Sequence, residues 1–589
     1  MRGFHNYDLN PVIAIEAYGE RDCLEGWSEI AACLRKRLPA EKYTVAIECY
    51  PGVMCDALRK RIAAEFPQGT ILNVEDAYLD AGVLRERFQQ TLTSDPVFGR
   101  MQHWSIASYF DERRTATLRA RVEENSSVLF VVGTGTQQIL AKPDLLISAN
   151  VTRWELQKRQ RNKSICNLGL ENYEDSAQLL YKNAYFLEWR VADEIRHSLY
   201  GRIDYFLDLD DEELPRMVRG DLLREAVEAV VRQPFRVVPF FDPGPWGGCW
   251  MMHMFDLPQD APNYAWCFDC VPEENGITLG FGSRRFQLPA IVLVHEQPMA
   301  LLGEAIYKNF GAEFPIRFDL LDTVGGSNLS LQVHPLREYI REHFGISYTQ
   351  DESYYILDQS GDSQVYLGVR TGADREQMRR DLEDAQAGGP PFPAERYVNL
   401  WPTRKHDHFS IPAGTIHCSG RDNLVLEISA TPYIFTFKLW DWGRLGLDGK
   451  PRPIHLEHGL ANIQWNRDTE WVKRELLDQT VEVSSGDGWR EERTGLHRSQ
   501  FLETRRTWFI KAVTHNTDGN LHVLNLVEGE AVSVESPTGD FAPVEIHYAE
   551  TFIVPASVGA YTIRPLGKSS RPSATIRAYL RHDQQPGHD

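Results

Sequence analysis

Asn328-Leu329-Ser330-Leu331-Gln332-Val333-His334-Pro335 alternates apolar and polar side chains almost one for one. In an extended strand that period sends Ser330, Gln332 and His334 to one face and Leu329, Leu331 and Val333 to the other. A polar row turned into the interior of a β-barrel costs free energy unless its groups find partners. The stretch therefore predicts a strand whose inner face holds a polar site. Further along, Glu352 stands just before an apolar strand, Tyr354-Tyr355-Ile356-Leu357. His408-Phe409-Ser410-Ile411-Pro412-Ala413-Gly414-Thr415-Ile416-His417 carries another histidine past a tight Pro-Ala-Gly turn. The strand Leu424-Val425-Leu426-Glu427-Ile428-Ser429 sets Glu427 opposite its apolar face. Two imidazoles and a carboxylate form a donor set that zinc or iron can use, with positions left open for substrate.

Around this core the chain is long, 589 residues, and at roughly 100–200 residues per domain it predicts two to four domains. Its 42% hydrophobic and 25% charged residues exclude a mainly disordered chain. With 83 acidic and 63 basic residues, the formal charge of −20 argues against nucleic acid or an anionic membrane as partner. Apolar runs such as Val128–Val132 are strand-sized, far short of the ~20 residues of a membrane helix. The first residues lack the apolar heart of a secretory signal, so a cytoplasmic protein is expected. Of nine cysteines, Cys267 and Cys270 form a close pair, with no second pair to complete a four-thiolate zinc site. They are expected to be buried, reduced thiols.

The first third alternates strands (Tyr43–Ile47, Ser127–Val132, Leu145–Ser148) with helices (Cys55–Glu65 and a basic one containing Arg153–Arg159), which predicts a parallel sheet. From about Phe235 short strands, aromatic residues and Gly/Pro turns dominate, with helical patches at 373–386 and 454–463. The polar, Gly-rich stretch Val481–Glu492 is expected to be a junction between domains.

Residues from about Trp246 to Gly459 resemble class I phosphomannose isomerases, which are zinc-dependent cupin barrels. The resemblance is carried by Pro245-Trp246-Gly247-Gly248, by 329–335, by Gln350-Asp351-Glu352-Ser353-Tyr354-Tyr355-Ile356-Leu357 and by 411–417. Leu426-Glu427-Ile428, Trp440-Asp441-Trp442-Gly443-Arg444 and Asp448-Gly449-Lys450-Pro451-Arg452 complete it. It implies one Zn2+ per chain on Gln332, His334, Glu352 and His417, with Glu427 as acid/base and Arg444 and Lys450 at the substrate end. It departs from the family at Gln350-Asp351, where many relatives have a lysine before the glutamate ligand, and at 265–275. Both departures bear on substrate identity.

Val45-Ala46-Ile47-Glu48-Cys49-Tyr50-Pro51-Gly52-Val53-Met54-Cys55-Asp56 occupies the place of a strand–loop–helix phosphate cradle, yet Cys55 and Asp56 stand where lysine and hydroxyl are required. Residues 10–225, with Asp95-Pro96-Val97-Phe98-Gly99 and the Arg153–Arg161 helix, resemble uridine-kinase-like P-loop proteins that have lost ATP chemistry. A regulatory phosphate site at Gly133–Thr136 and the Arg153–Arg161 cluster is the alternative. Leu524–Glu530 and Ala549–Ala556 resemble the family's C-terminal cupin half. His522 and His547 fall outside the ligand pattern, so that barrel is expected to be metal-free.

The expected architecture is multi-domain α/β plus β: a P-loop-like parallel-sheet domain (1–235), a catalytic cupin barrel with helical insertions (236–480) and a C-terminal cupin barrel (481–589). The resemblance implies an isomerase interconverting mannose 6-phosphate and fructose 6-phosphate, its partner a phosphorylated hexose. The competing readings are a non-catalytic sugar-phosphate sensor and an iron cupin oxygenase.

Overall fold

The structure is a computed structural model that describes residues 5–38, 42–430, 433, 435–446, 449, 452–567 and 571–581. The chain packs as two units. One comprises Val12–Ala229 with Glu274–Glu296, and the other Met1–Pro11, Val230–Glu273 and Gln297–Asp589. This division differs from cuts at 235 and 480: the segment Glu274–Glu296 leaves the barrel stretch for the α/β unit, and the two barrels share one unit.

In the α/β unit, β1 (Tyr43–Cys49), β2 (Thr70–Asn73), β3 (Val128–Gly133), β4 (Leu145–Asn150) and β5 (Tyr205–Asp208) run parallel in the order β5-β4-β1-β3-β2. Arg216–Arg219 and then Cys23–Glu25 extend the β5 edge antiparallel. The central strands are buried and mostly apolar, as expected of a parallel sheet covered by helices on both faces. With β1 central and its successors laid to both sides, the order of connection reverses at the β1 carboxyl end, where open α/β sheets bind ligands. Helix α1 (Cys55–Glu65) follows β1, and α2 (Arg153–Arg161) follows β4. The hairpin Gly276–Phe281/Arg284–Pro289 pairs with Ile13–Ala14 in the same unit.

In the other unit all paired strands are antiparallel. The metal-candidate barrel is built from β6 (Trp266–Cys270), β7 (Arg317–Asp322), β8 (Leu331–Val333), β9 (Glu352–Gln359), β10 (His408–Ile411), β11 (His417–Ser419), β12 (Asn423–Ser429) and β13 (Phe437–Trp440). One sheet runs β10-β9-β12-β7-β6 and ends on Phe240–Asp242. The other runs from Val398–Pro402 through Gln364–Val369 to β11, β8 and β13. Cys267 and Cys270 are buried in β6. Helices Arg375–Gln386 and Leu456–Asn462 fall where helical patches are expected.

The C-terminal barrel pairs a six-stranded with a four-stranded sheet around one apolar cluster that includes Phe509, Leu524, Leu526, Phe552, Val554, Tyr561 and Ile563. Its outermost strand corrects the expected junction: Val481–Gly486 and Trp489–Arg493 form a hairpin. The Asp487-Gly488 turn, with Gly488 at φ +82°, suits a two-residue loop. The hairpin reads as a linker because Val481–Gly486 is an edge strand exposed along its whole length, so it carries no buried face to betray it. Among the described residues no helix is long and apolar enough to cross a membrane.

Candidate metal centre

Backbone register decides which side chains meet. Gln332 on β8 faces His417 on β11 and Lys438 on β13, so these three project from one face. On the opposing sheet Glu427 of β12 pairs with Asp319 of β7 and Tyr354 of β9, and Glu352 lies two residues before Tyr354 on the same face. His334 follows β8 directly.

His334, Glu352 and His417 are all but inaccessible, and their donor atoms lie within 4.8 Å of one another. His334 Nε2 is 2.5 Å and His417 Nε2 is 2.9 Å from the same Glu352 oxygen, Oε2. The Gln332 amide lies 3.3 Å from His417 Nε2. The far side of each ring settles what the near side offers. His334 Nδ1 sits 2.9 Å from the Phe435 carbonyl, and His417 Nδ1 sits 2.8 Å from the Thr415 carbonyl. A carbonyl only accepts, so each Nδ1 carries a proton, and each ring turns its Nε2 toward the carboxylate. Electron-pair donors converging in this way fit a divalent cation, with backbone carbonyls fixing the rings as supporting partners do in metal sites. The Gln332 amide stands beside these three donors, and with its oxygen turned inward it would add a fourth. Burial would raise the Glu352 pKa, but the two imidazoles outweigh it and hold the carboxyl below its usual range. Gln500, from the C-terminal barrel, donates from Nε2 to the Glu352 carbonyl at 3.0 Å and fixes the start of β9 from behind.

Glu427 is buried beside this set, and its pKa is pushed well above the usual carboxylate range. Burial contributes most, followed by the charges of Glu352 and Asp319, with Arg317 opposing them. Arg317 in turn donates from Nε to Asp319 at 2.5 Å. Arg444 stands in a polar clamp: it donates to Asp441 Oδ1 at 2.5 Å, Ser327 Oγ at 2.8 Å and the Asn328 carbonyl at 2.6 Å. Arg452 holds the other Asp441 oxygen at 2.6 Å, and Ser330, from the polar row of β8, donates to Asp441 Oδ1 at 2.9 Å. Lys450 lies outside the described residues.

Sequence reasoning missed Lys438, Arg452, Asp441, Asp319 and Arg317 as members of this neighbourhood. Desolvation of its charged end, and then Arg452 and Arg444, lower the Lys438 pKa to about 7. Arg317-Phe318-Asp319-Leu320 alternates, and the period-two reading applied to β8 would have flagged it.

In the α/β unit the Gly133–Thr136 loop is bonded from within the chain. The buried Glu48 carboxylate accepts from the Gly135 N–H at 2.6 Å, the Thr136 N–H at 2.8 Å and the Thr136 hydroxyl at 2.5 Å. The basic helix turns Arg153 and Arg159 inward, while Lys158 and Arg161 stay exposed. Arg153 is inaccessible and bonded to Asp193 at 2.5 Å, while Arg159 donates to the carbonyls of Gly52 at 3.0 Å and Leu209 at 2.6 Å. Gly52, at φ +104°, packs so closely that a Cβ would come within 2.9 Å of Leu156 and Val151.

Residues 26–232 match a family model described as a domain of unknown function, DUF8485. The mannose-6-phosphate isomerase ManA of Bacillus subtilis is 24% identical over 233 residues, which cover 39% of this chain and 68% of that protein. The probable mannose-6-phosphate isomerase GmuF of the same organism is 29% identical over 153 residues, 26% of this chain and 45% of the relative. The solved mannose 6-phosphate isomerase of Bacillus subtilis aligns with 59% of this chain and 99% of its own at 17% identity and a TM-score of 0.47. The chain is thus similar to mannose-6-phosphate isomerases over part of its length, and the family model matches residues 26–232.

Proposed function

We propose that the metal-candidate barrel is an aldose–ketose isomerase acting on a phosphorylated hexose, interconverting mannose 6-phosphate and fructose 6-phosphate with one zinc ion. The observation that carries this reading is the convergence of the His334 and His417 Nε2 atoms on the Glu352 carboxylate, each ring held from behind by a backbone carbonyl. The sequence similarity to isomerases of that name supports it independently.

Gln332, His334, Glu352 and His417 would hold the ion, which when bound supplies Lewis acidity to the sugar's carbonyl and hydroxyl oxygens. This chain's own groups do the rest. Isomerisation takes a proton from C2 of the aldose and delivers one to C1, so a single carboxyl group that gives and takes can serve both carbons. Glu427 fits that work. Burial and the Glu352 charge raise its proton affinity well above the usual carboxylate range, while Arg317 favours its ionised form. Lys438, Arg444 and Arg452 gather around the single carboxylate of Asp441. That surplus of cations suits the substrate phosphate, with Lys438 and Arg452 joining the Arg444 and Lys450 expected there. The α/β unit is, in this reading, a P-loop-like domain without ATP chemistry, since Glu48 takes the N–H groups a phosphate would need.

A coupled assay with mannose 6-phosphate, run before and after chelation and alongside metal analysis, tests the proposal. Turnover that falls on chelation and returns with zinc supports it. Zinc-replete protein that binds the sugar phosphate without isomerising it is a sensor, and iron as the resident metal points to the oxygenase reading.

A further inference from the structure

Between Ile411 and His417 the chain crosses from one sheet of the metal-candidate barrel to the other. Ile411 closes β10 and pairs with Glu352 on β9, while His417 opens β11 and pairs with Gln332 on β8. The turn Pro412-Ala413-Gly414-Thr415 therefore spans the two sheets that carry the ligand candidates, and its hydrogen bonds reach each ligand segment. The Gly414 N–H donates to the His334 carbonyl at 3.0 Å. The Ala413 N–H donates at 2.9 Å to Oδ1 of Asp351, the residue before Glu352. The Thr415 carbonyl accepts from His417 Nδ1 at 2.8 Å. Gly414 sits at φ +85°, and a Cβ there would come within 2.8 Å of Leu336 and Gln464. One side chain holds this turn from outside. Arg467 Nη1 donates to the Pro412 carbonyl at 2.8 Å, the Ala413 carbonyl at 2.5 Å and the Thr415 hydroxyl at 2.6 Å. That hydroxyl in turn donates to the Pro412 carbonyl at 2.7 Å. The backbone of Arg467 is itself tied, its N–H to the Gln464 carbonyl at 3.0 Å and its carbonyl to the Val369 N–H at 3.1 Å.

We propose that Arg467 is a positioning residue for the metal centre: by holding the Pro412–Thr415 turn it sets the spacing of His334, Glu352 and His417. The inference rests on the metal reading of this barrel and adds to it a residue that is no ligand candidate itself. The guanidinium suits the task because its charge draws several oxygens to one nitrogen. Without that cation the two carbonyls and the hydroxyl would converge with their negative ends together, and the turn would relax. Gly414 is bonded to His334 and Thr415 to the His417 ring, so a relaxed turn shifts both histidines against Glu352. Removing a ligand takes away a donor outright. Displacing an intact set instead leaves an ion bound more weakly and in another geometry, which is the signature of positioning.

The experiment strips the full chain of metal with a chelator and titrates it with Co2+, whose visible absorption follows the geometry of its donors. Arg467→Met keeps much of the side chain's bulk and removes its charge and its N–H groups. It should bind Co2+ about 10–100-fold more weakly than the wild type, with an altered spectrum. Arg467→Lys returns a cation with N–H donors and should recover much of the affinity and the wild-type spectrum. Both readings are taken on protein that circular dichroism shows to be folded, so a loss of stability alone moves neither. Arg467→Met with wild-type affinity and spectrum would overturn the proposal, as would Arg467→Lys that binds no better than Arg467→Met. If Arg467→Met does not fold, Thr415→Val decides, because it removes an acceptor of Arg467 and keeps the shape. It should weaken Co2+ binding several-fold, and unchanged binding would overturn the proposal. A wild-type chain that takes up no Co2+ sinks the metal reading and this inference with it. Uptake that is indifferent to Arg467 sinks this inference alone.

Discussion

Glu352 and Glu48 are both buried glutamates on edges of strand structure, yet their surroundings drive them in opposite directions. Glu352 faces two imidazoles, which hold it ionised against the cost of burial. Glu48 faces backbone N–H groups and a hydroxyl, and burial wins, raising its pKa to about 7. One carboxylate oxygen gathers two ring nitrogens whose far sides are tied to backbone carbonyls, a cluster of donor atoms that could hold a cation. Glu48 has its bonds already made by the chain. A buried carboxylate alone therefore says little about function, and the donors or acceptors around it decide.

The comparison breaks most sharply at His334. His334→Ala removes a donor, so metal affinity should fall by more than the roughly 10–100-fold that a lost supporting partner costs, and turnover should fall to the chelated background. Metal analysis after dialysis checks it, and a variant that keeps both metal and activity would remove His334 from the set. Next comes Glu427→Gln, which keeps shape but cannot exchange a proton. It should lower kcat by about 10²–10⁴-fold while metal content stays and KM changes little. A rise in KM with kcat intact would make Glu427 a binding group instead.

The neighbouring barrel supplies a contrast built of hydrocarbon. Its interior is the Phe509, Leu524, Leu526 and Phe552 cluster, and its His522 is tied to the Tyr561 hydroxyl at 2.9 Å. Phe552→Ala should cost about 3–5 kcal/mol of stability, read by denaturant melts. Because Phe552 touches no ligand strand by register, the surviving folded protein should bind metal normally. Equal loss of metal would show that the barrels stand or fall together, through links such as that from Gln500 to Glu352.

His334, His417 and Glu352 were legible because each sits in or beside a strand whose alternation declares an inward polar face. Lys438 was not, because a lysine between Phe437 and Leu439 reads equally well as a residue pointing at water. Only the register with Gln332 puts it inside. Arg153 and Arg159 were misread for a related reason. A run of basic residues on a helix ordinarily marks a solvated face, and their partners Asp193, Glu212, Gly52 and Leu209 lie far away in sequence. The inserted hairpin 274–296 carries no compositional mark of its unit at all, since it is made of the same short, apolar strands as the barrel it interrupts.

The smallest expected effect lies at Glu48 and tests the other half of the comparison. In the folded chain Glu48 keeps its proton up to about pH 7; in the unfolded chain it gives the proton up near the ordinary value of 4.5. Below that lower value both states are protonated and Glu48 contributes no pH dependence. Between the two values the folded state binds more protons, so raising the pH favours unfolding, and above about 7 the loss is complete. Glu48→Gln keeps an oxygen to accept from Gly135 or Thr136 and has no proton to lose. Between pH 5 and 8 the wild-type protein should therefore lose about 1–3 kcal/mol more than the variant. Asp208, raised to about 8 by burial and by Asp210, adds a slope of the same sign to both proteins, so the difference between them isolates Glu48. Urea denaturation at the two pH values measures it. Parallel curves would mean that the three donors at 135–136 hold Glu48 ionised, which would make the loop a true anion cradle with the chain's own carboxylate as its occupant.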